Sequence, residues 1–248
     1  MNRQATVVCG MLLALTLPAS SASAGAGVNL RWSACFADGG TWNRTFACDT
    51  NSGTNVLIGS FELAADLTEV SGVEFVLDVA SDGATLPAWW QLRNPGTCRM
   101  ASLSVNTTIA TSAAACVDWA SGGAASGLAA YAIGFAGPNT SRIIGGSAVP
   151  ASALADLVAG QAYFAFNLLI NNAKTIGADS CVGCEVPTEI VCNSILVRTP
   201  PVFAQPSRDV KLVGPSNGVD SHLARWQGGR AIVPTRRTSW GELKTLFR

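Results

Sequence analysis

Histidine is nearly absent from this sequence: His222 is the single one among 248 residues. Serine and cysteine hydrolases hold an imidazole rigidly beside the nucleophile, and His222 falls in a proline-punctuated stretch without strand or helix periodicity. Histidine-based metal clusters are excluded for the same reason. The chain also lacks a P-loop and a dinucleotide-binding glycine motif. We therefore expect no catalytic residue, no cofactor and no resident metal.

Charged residues are also scarce, at 13% of the chain. The 16 basic and 16 acidic side chains give a net charge of zero, but they are unevenly distributed along the chain. Residues 25–204 hold 7 basic and 13 acidic side chains (7 − 13 = −6), and residues 205–248 hold 8 and 3 (8 − 3 = +5). A short basic segment with few aromatics is a poor nucleic-acid surface, so we expect no nucleic acid as partner. The charge asymmetry predicts an acidic body followed by a separate basic tail.

No long apolar run follows residue 24, so no membrane span is expected in the mature chain. The first 24 residues are typical of a secretory signal peptide, with Arg3, an apolar run over 5–17 and an Ala22-Ser23-Ala24 cleavage motif. That run is shorter than the roughly 20 residues a membrane helix needs. We expect cleavage after Ala24 and a protein that is secreted or held at the cell surface, in the periplasm or outside the cell.

The mature chain is rich in alternating apolar and polar residues, which is typical of strands with one buried face. The alternation is clearest at 73–79 and 164–170. Turns rich in Gly, Asn, Asp and Ser separate these from other β-rich runs, at 28–33, 56–63, 101–109, 131–135 and 189–198. The pattern predicts an all-β, antiparallel β-sandwich over residues 25–204, with one short helix over 150–159. The Gly145-Gly146 pair is predicted to be a turn.

Residues 205–248 are predicted to be a linker and a basic amphipathic tail outside the sandwich core. Ser239-x-x-Glu242 is a capping-box pattern that would start a short helix. Such a helix is marginal alone in water, so it would dock on the acidic body or be read by export or surface-attachment machinery. The residues that would dock or act as a sorting signal are Trp240, Leu243, Lys244, Phe247 and Arg248.

Eight cysteines occur, and seven remain once Cys9 leaves with the signal peptide. In an oxidising compartment they are expected to form disulfides. Spacing favours Cys35 with Cys48 and Cys98 with Cys116, each pair flanking a strand and turn. Both loops are short, so each bridge is expected to stabilise the fold by about 3 kcal/mol.

A third group holds Cys181, Cys184 and Cys192, so one bridge forms and one thiol is left. Cys192 lies in a predicted strand and is favoured as one partner, with either Cys181 or Cys184 as the other. The Cys181-x-x-Cys184 spacing also fits a redox or metal site. A zinc site needs four ligands, and the sequence shows no such set around this motif. A thioredoxin-like motif needs a βαβ unit, and the sequence shows none. The structural disulfide is the preferred interpretation.

Tryptophans are the candidates for ligand binding. Trp89 and Trp90 are adjacent, so in a strand they would point to opposite faces, one buried and one exposed. An exposed tryptophan on a β-sandwich would stack a sugar ring, and Trp119 is a further candidate. The competing interpretation is that most of the tryptophans are core residues or cover the core. Turns rich in Asp and Asn lack the spacing of calcium loops, so calcium binding stays open.

Paired carboxylates would be enough for a glycoside hydrolase. Glu74 and Asp78 are predicted to share a strand face roughly 13 Å apart, which is too far to flank one bond. They are expected on a solvated outer face of the sheet. The remaining acidic candidates show no paired spacing: Glu62, Asp66, Glu69 and Asp118.

Most of the mature chain resembles a group of exported bacterial proteins with a cohesin-like β-sandwich of jelly-roll type. The resemblance lies in 46–51 followed by 56–61, in 86–90 with Cys98-Arg99, in 157–170, and in 181–184 with 193–195. The tail at 239–248 resembles a C-terminal signature of the same proteins. The group supplies no activity, but cohesins bind dockerin partners through a sheet face.

Together these features predict a non-enzymatic exported protein that acts in binding or surface structure, with a protein or polysaccharide partner at the cell surface. A carbohydrate-binding module using an exposed tryptophan is the first alternative. A carboxylate-based glycoside hydrolase is the second.

Overall fold

The structure is a computed structural model that describes residues 25–110, 113–201 and 206–229. The predicted signal peptide and the tail residues Trp240, Leu243, Lys244, Phe247 and Arg248 lie outside these ranges. The strands are β1 Gly27–Trp32, β2 Asn43–Arg44, β3 Thr54–Glu62, β4 Leu67–Val70, β5 Gly72–Ser81, β6 Leu103–Asn106, β7 Val117–Asp118, β8 Ala125–Ile133, β9 Thr140–Ala148, β10 Ala155–Leu157, β11 Tyr163–Asn171, β12 Thr188–Arg198, β13 Val210–Leu212 and β14 Leu223–Trp226. Three single-turn 3₁₀ helices accompany them, at Phe36–Asp38, Ala88–Trp90 and Ala151–Ala153.

Two sheets form a β-sandwich, as predicted. The five-stranded sheet has the order β1-β3-β11-β6, and β7 also pairs with β11. The seven-stranded sheet has the order β2-β14-β12-β5-β9-β8, and β13 pairs with β12 beside β14. All of these pairings are antiparallel except β7 with β11 and β2 with β14. The fold is therefore all-β with mainly antiparallel pairing.

The alternating apolar side chains fill the space between the sheets. On β5, Val73, Phe75, Leu77 and Val79 are at most 1% exposed, which confirms the predicted inward face. On β11 the register shifts between Phe164 and Phe166. Because of this bulge, Phe164 packs with the Cys35–Cys116 region on the outside of the sheet instead of joining the main core.

The predicted helix over 150–159 is wrong. A 3₁₀ turn at Ala151–Ala153 is followed at once by β10, which pairs with β4 through Ala155–Val70 and Leu157–Leu67. Pairing with a distant strand overrides the local helix signal of Pro150. Within the described ranges, no helix is long and apolar enough to cross a membrane.

The predicted domain boundary at residue 204 is also wrong. β13 pairs with β12 at Ile195–Leu212, and β14 pairs with it at Val191–Leu223, so residues 206–229 complete the seven-stranded sheet. Trp226 is fully buried in the core. These strands have three and four residues, too short to show periodicity in the sequence.

The described residues contain three disulfides and one remaining thiol, in agreement with the predicted number, but every predicted pairing is wrong. Sheet pairing brings together cysteines that are distant in the chain, with sequence separations of 81, 136 and 83 residues. The bridges are Cys35–Cys116, Cys48–Cys184 and Cys98–Cys181, and Cys192 is the buried free cysteine.

Candidate functional site

The tryptophans predicted to bind sugar are buried. Trp89 and Trp90 lie in the 3₁₀ turn Ala88–Trp90, not in a strand, and both are fully buried. They pack around Trp226 with ring centroids 4.9 and 5.7 Å away. Trp119 is 2% exposed. All three are core residues, so they form no sugar-stacking platform.

Buried polar contacts hold this tryptophan cluster in place. The Arg99 guanidinium lies 3.7 Å from the Trp89 ring centre and donates to the Trp89 carbonyl at 2.8 Å. Burial lowers the pKa of Arg99 to about 9. The Tyr131 hydroxyl donates to the Trp90 carbonyl, and burial raises its pKa to about 12. These contacts serve the packing of the core.

Trp42 is the tryptophan that sequence reasoning passed over. It precedes β2 at one edge of the seven-stranded sheet and is 50% exposed. The Arg225 guanidinium lies 4.5 Å from its ring centre. Among the described tryptophans, Trp42 alone offers a large accessible ring.

The acidic candidates are occupied as structural acceptors and ion-pair partners. Asp78 is 3% exposed and contacts Arg142 at 2.5 Å, so its predicted place on a solvated face is wrong. The Asn193 amide also donates to Asp78. Asp118 accepts backbone N–H groups of its own turn, and Asp66 accepts the Ala159 N–H.

Two further acidic candidates lie in exposed ion pairs, Glu69 with Arg208 at 2.6 Å and Glu74 with Arg198 at 3.3 Å. The sixth acidic candidate, Glu62, is buried on the outer face of the five-stranded sheet.

The Cys181-x-x-Cys184 motif is divided between two disulfides, with Cys98 and Cys48 as the respective partners. Neither cysteine is free for redox exchange or metal binding, and Cys192 pairs with neither of them. In the described ranges, no group of three His, Cys, Asp or Glu side chains is placed to hold a metal ion. The motif therefore contributes one cysteine to each of two structural disulfides beside the tryptophan cluster.

A concavity of about 490 Å³ lies on the outer face of the seven-stranded sheet, across β5, β9 and β8. We call it the trough. Its floor is low because the cross-strand neighbours there are small. Gly72 pairs with Ala148, which pairs with Ala125 on β8.

The next row of the trough places Gly146 beside Glu74. Gly145 and Gly146 lie inside β9, so the predicted turn at this pair is wrong. A Cβ on Gly146 would approach the Val73 carbonyl oxygen to 2.8 Å, so the backbone itself forms the floor.

One side of the trough is charged and the other is apolar. Glu74 and Arg198 stand on the charged side with side chains 33% and 45% exposed, and Arg198 also contacts Asp209 at 2.9 Å. On the opposite side, β8 bulges between Leu128 and Ala130, and the exposed Ala129 lines the trough. The site therefore offers a small apolar floor with both charge signs at one rim.

No protein-family model and no curated protein sequence matches the chain. Among solved structures, it is similar to a cohesin module from a family 33 glycoside hydrolase of Clostridium perfringens, with 9% sequence identity and a TM-score of 0.28. The match covers 76% of this chain and 96% of that module. This likeness says nothing about what the trough binds.

Proposed function

We propose that this chain is an exported, non-catalytic binding protein that docks a protein partner in the trough of its seven-stranded sheet. The observation that carries the proposal is the trough itself, a concavity of about 490 Å³ on a sheet face. Its floor of Gly and Ala accepts apolar side chains, and its rim offers one acidic and one basic group for polar contacts. A small apolar centre with a polar rim is the usual anatomy of a protein–protein contact.

Export is supported by the disulfides. Three bridges in one chain are typical of oxidising compartments outside the cytoplasm. The bridges covalently link segments that are distant in the chain, which stabilises the fold of a protein outside the cell. The N-terminal sequence pattern points to the same compartment.

A protein partner is favoured over a polysaccharide because of where the aromatic rings lie. Five of the six described tryptophans are buried, so a row of stacking rings is not offered to a sugar chain. The exposed Trp42 belongs to the edge opposite β8, away from the trough. The absence of catalysis is part of the proposal, and it is supported by the structural roles of the candidate carboxylates.

Affinity capture with matched variants tests the proposal. The mature protein, Ala129→Arg and Ala153→Arg would each be immobilised and exposed to extracytoplasmic proteins of the producing cells. Ala129 lines the trough, whereas Ala153 is also exposed but lies in a 3₁₀ turn and does not line the trough. We expect Ala129→Arg to lose a protein that the wild type and Ala153→Arg both retain, because the long cationic side chain fills the trough.

Two results would contradict the proposal. Equal retention of every captured protein by Ala129→Arg would remove the trough as the site. Retention on insoluble polysaccharide that is lost in Trp42→Ala would instead assign sugar binding to the opposite edge.

A further inference from the structure

A second polar site lies outside the five-stranded sheet and is independent of the trough. Asn29 of β1 pairs directly with Ser60 of β3, and Glu62 lies one outward position further along β3. The three side chains line a cavity of about 10 Å³. The Cys35–Cys116 region and Asn217 also line it.

A hydrogen-bond network holds the walls of this cavity. The Asn29 amide donates to Ser216 Oγ at 2.6 Å. The Asn217 amide donates to the same Ser216 oxygen at 2.9 Å and to Glu62 Oε1 at 2.5 Å. Both amide groups of this network therefore donate to oxygens, either the Ser216 hydroxyl or Glu62 Oε1.

Two oxygens are left over. Asn29 Oδ1 and Glu62 Oε2 are buried without a hydrogen-bond partner, and their side chains belong to residues only 1% and 3% exposed. Both atoms are acceptors, and one belongs to a carboxylate. In the described part of the chain, Glu62 forms no salt bridge, although the other buried carboxylates, Asp78 and Glu189, each contact an arginine. A buried carboxylate calls for a positive charge nearby.

We propose that Asn29 and Glu62 bind a single small cation of the size of sodium in this cavity. The volume suits one occupant about as large as a water molecule. Carboxylate and amide oxygens are ligands for hard cations. A divalent ion would leave an excess positive charge in the cavity, because Glu62 is the single carboxylate in its lining. One positive charge also balances the single carboxylate.

Two arrangements compete with a bound ion. Rotation of the Asn29 amide would let its nitrogen donate to Glu62 while its oxygen accepts from the Ser216 hydroxyl, which closes the network. A buried water would donate to both oxygens. Neither arrangement makes stability depend on the identity of the cation in solution, and this difference is what the experiment measures.

Thermal unfolding of the mature protein in sodium chloride and in choline chloride, at equal concentration, distinguishes a bound cation from a rotated amide or a buried water. Screening is the same in both salts, but choline is too large for the cavity. We expect the Tm to rise with the logarithm of the sodium concentration and not with choline. Glu62→Gln should lose this difference, because a glutamine amide can donate to Asn29, whereas the exposed-site control Glu185→Gln should keep it.

Two further measurements complete the test. The ²³Na NMR line should broaden with wild type and Glu185→Gln and not with Glu62→Gln. Asn29→Asp adds a second carboxylate and should make the Tm respond to calcium. Identical wild-type melting in sodium and choline would overturn the proposal in favour of a rotated amide or a water. A sodium effect of equal size in wild type and Glu62→Gln would overturn it as well.

Discussion

Phe75 of β5 and Phe166 of β11 stack across the two sheets, with ring centroids 3.9 Å apart and ring planes inclined by 26°. Each ring also covers a glycine on a neighbouring strand, at the directly paired position. Phe75 lies over Gly145 of β9, and Phe166 lies over Gly59 of β3. A Cβ at either glycine would come within 3.0 Å of the ring. The absence of a Cβ at these two glycines therefore leaves room for the two stacked rings between the sheets.

Replacing Gly145 or Gly59 by alanine should destabilise the protein by about 1–3 kcal/mol, since the added methyl group displaces a ring in a packed core. Equilibrium unfolding in urea measures the loss. Gly127→Ala on β8 is the control, because a Cβ there meets nothing within 4 Å. A similar loss in Gly127→Ala would show that the ring contacts are not the cause.

Sequence patterns predicted the fold where strands are long and have one clearly apolar face. Residues 73–79 alternate because β5 buries every second side chain between the sheets, and this face was found correctly. The linker that the sequence predicts over residues 206–229 is wrong because β13 and β14 are held by pairing with β12 and not by their own pattern. Strand pairing over long distances leaves little trace in a local window.

The candidate site was largely beyond sequence reasoning. Trp89 and Trp90 would face opposite ways in a strand, but in a 3₁₀ turn both rings enter the core. The trough is formed by Gly and Ala side by side on three strands, and these residues have no functional side-chain group that would mark a binding site in the sequence. Its position depends on strand register, which the sequence alone did not provide.

Peptide mapping without reduction should recover three linked pairs and a free Cys192. Burial raises the pKa of the Cys192 thiol to about 12, so the reactive thiolate is scarce even at mildly alkaline pH. We expect iodoacetamide to label Cys192 only after denaturant unfolds the chain. The linked pairs are Cys35–Cys116, Cys48–Cys184 and Cys98–Cys181. Recovery of a Cys35–Cys48 peptide, or rapid labelling of the native protein, would contradict this.

His222 should make stability fall on mild acidification. Burial lowers the pKa of its imidazole below the ordinary value of 6.5, Arg31 adds to the lowering, and Asp220 opposes it. The unfolded chain therefore takes up a proton at higher pH than the folded chain. The stability difference is complete above about pH 6.5 and is lost as the pH falls from there toward the lower folded-state pKa.

Unfolding free energies of wild type and His222→Gln, measured over that pH range, isolate this effect because the chain has no other histidine. The wild type should lose stability relative to the variant as the solution is acidified. Parallel pH profiles of the two proteins would show that His222 does not contribute.

Truncation at two positions tests the corrected domain boundary. Deleting residues 206–248 removes β13, β14 and Trp226, whose indole N–H donates to the Cys184 carbonyl at 2.6 Å. Loss of one large buried aromatic side chain alone costs about 3–5 kcal/mol, and the edge of β12 would also lose its partners. We expect this truncated protein to lose cooperative unfolding.

Deleting only residues 236–248 leaves every described strand in place, so cooperative unfolding should persist. Circular dichroism melts of both truncated proteins and cell fractionation of the shorter deletion give the readouts. A lower Tm with unchanged location would assign the tail a docking role on the body. An unchanged Tm with altered location would make it a sorting signal. Cooperative, near-wild-type melting after removal of 206–248 would contradict the placement of Trp226 in the core and restore the boundary at residue 204.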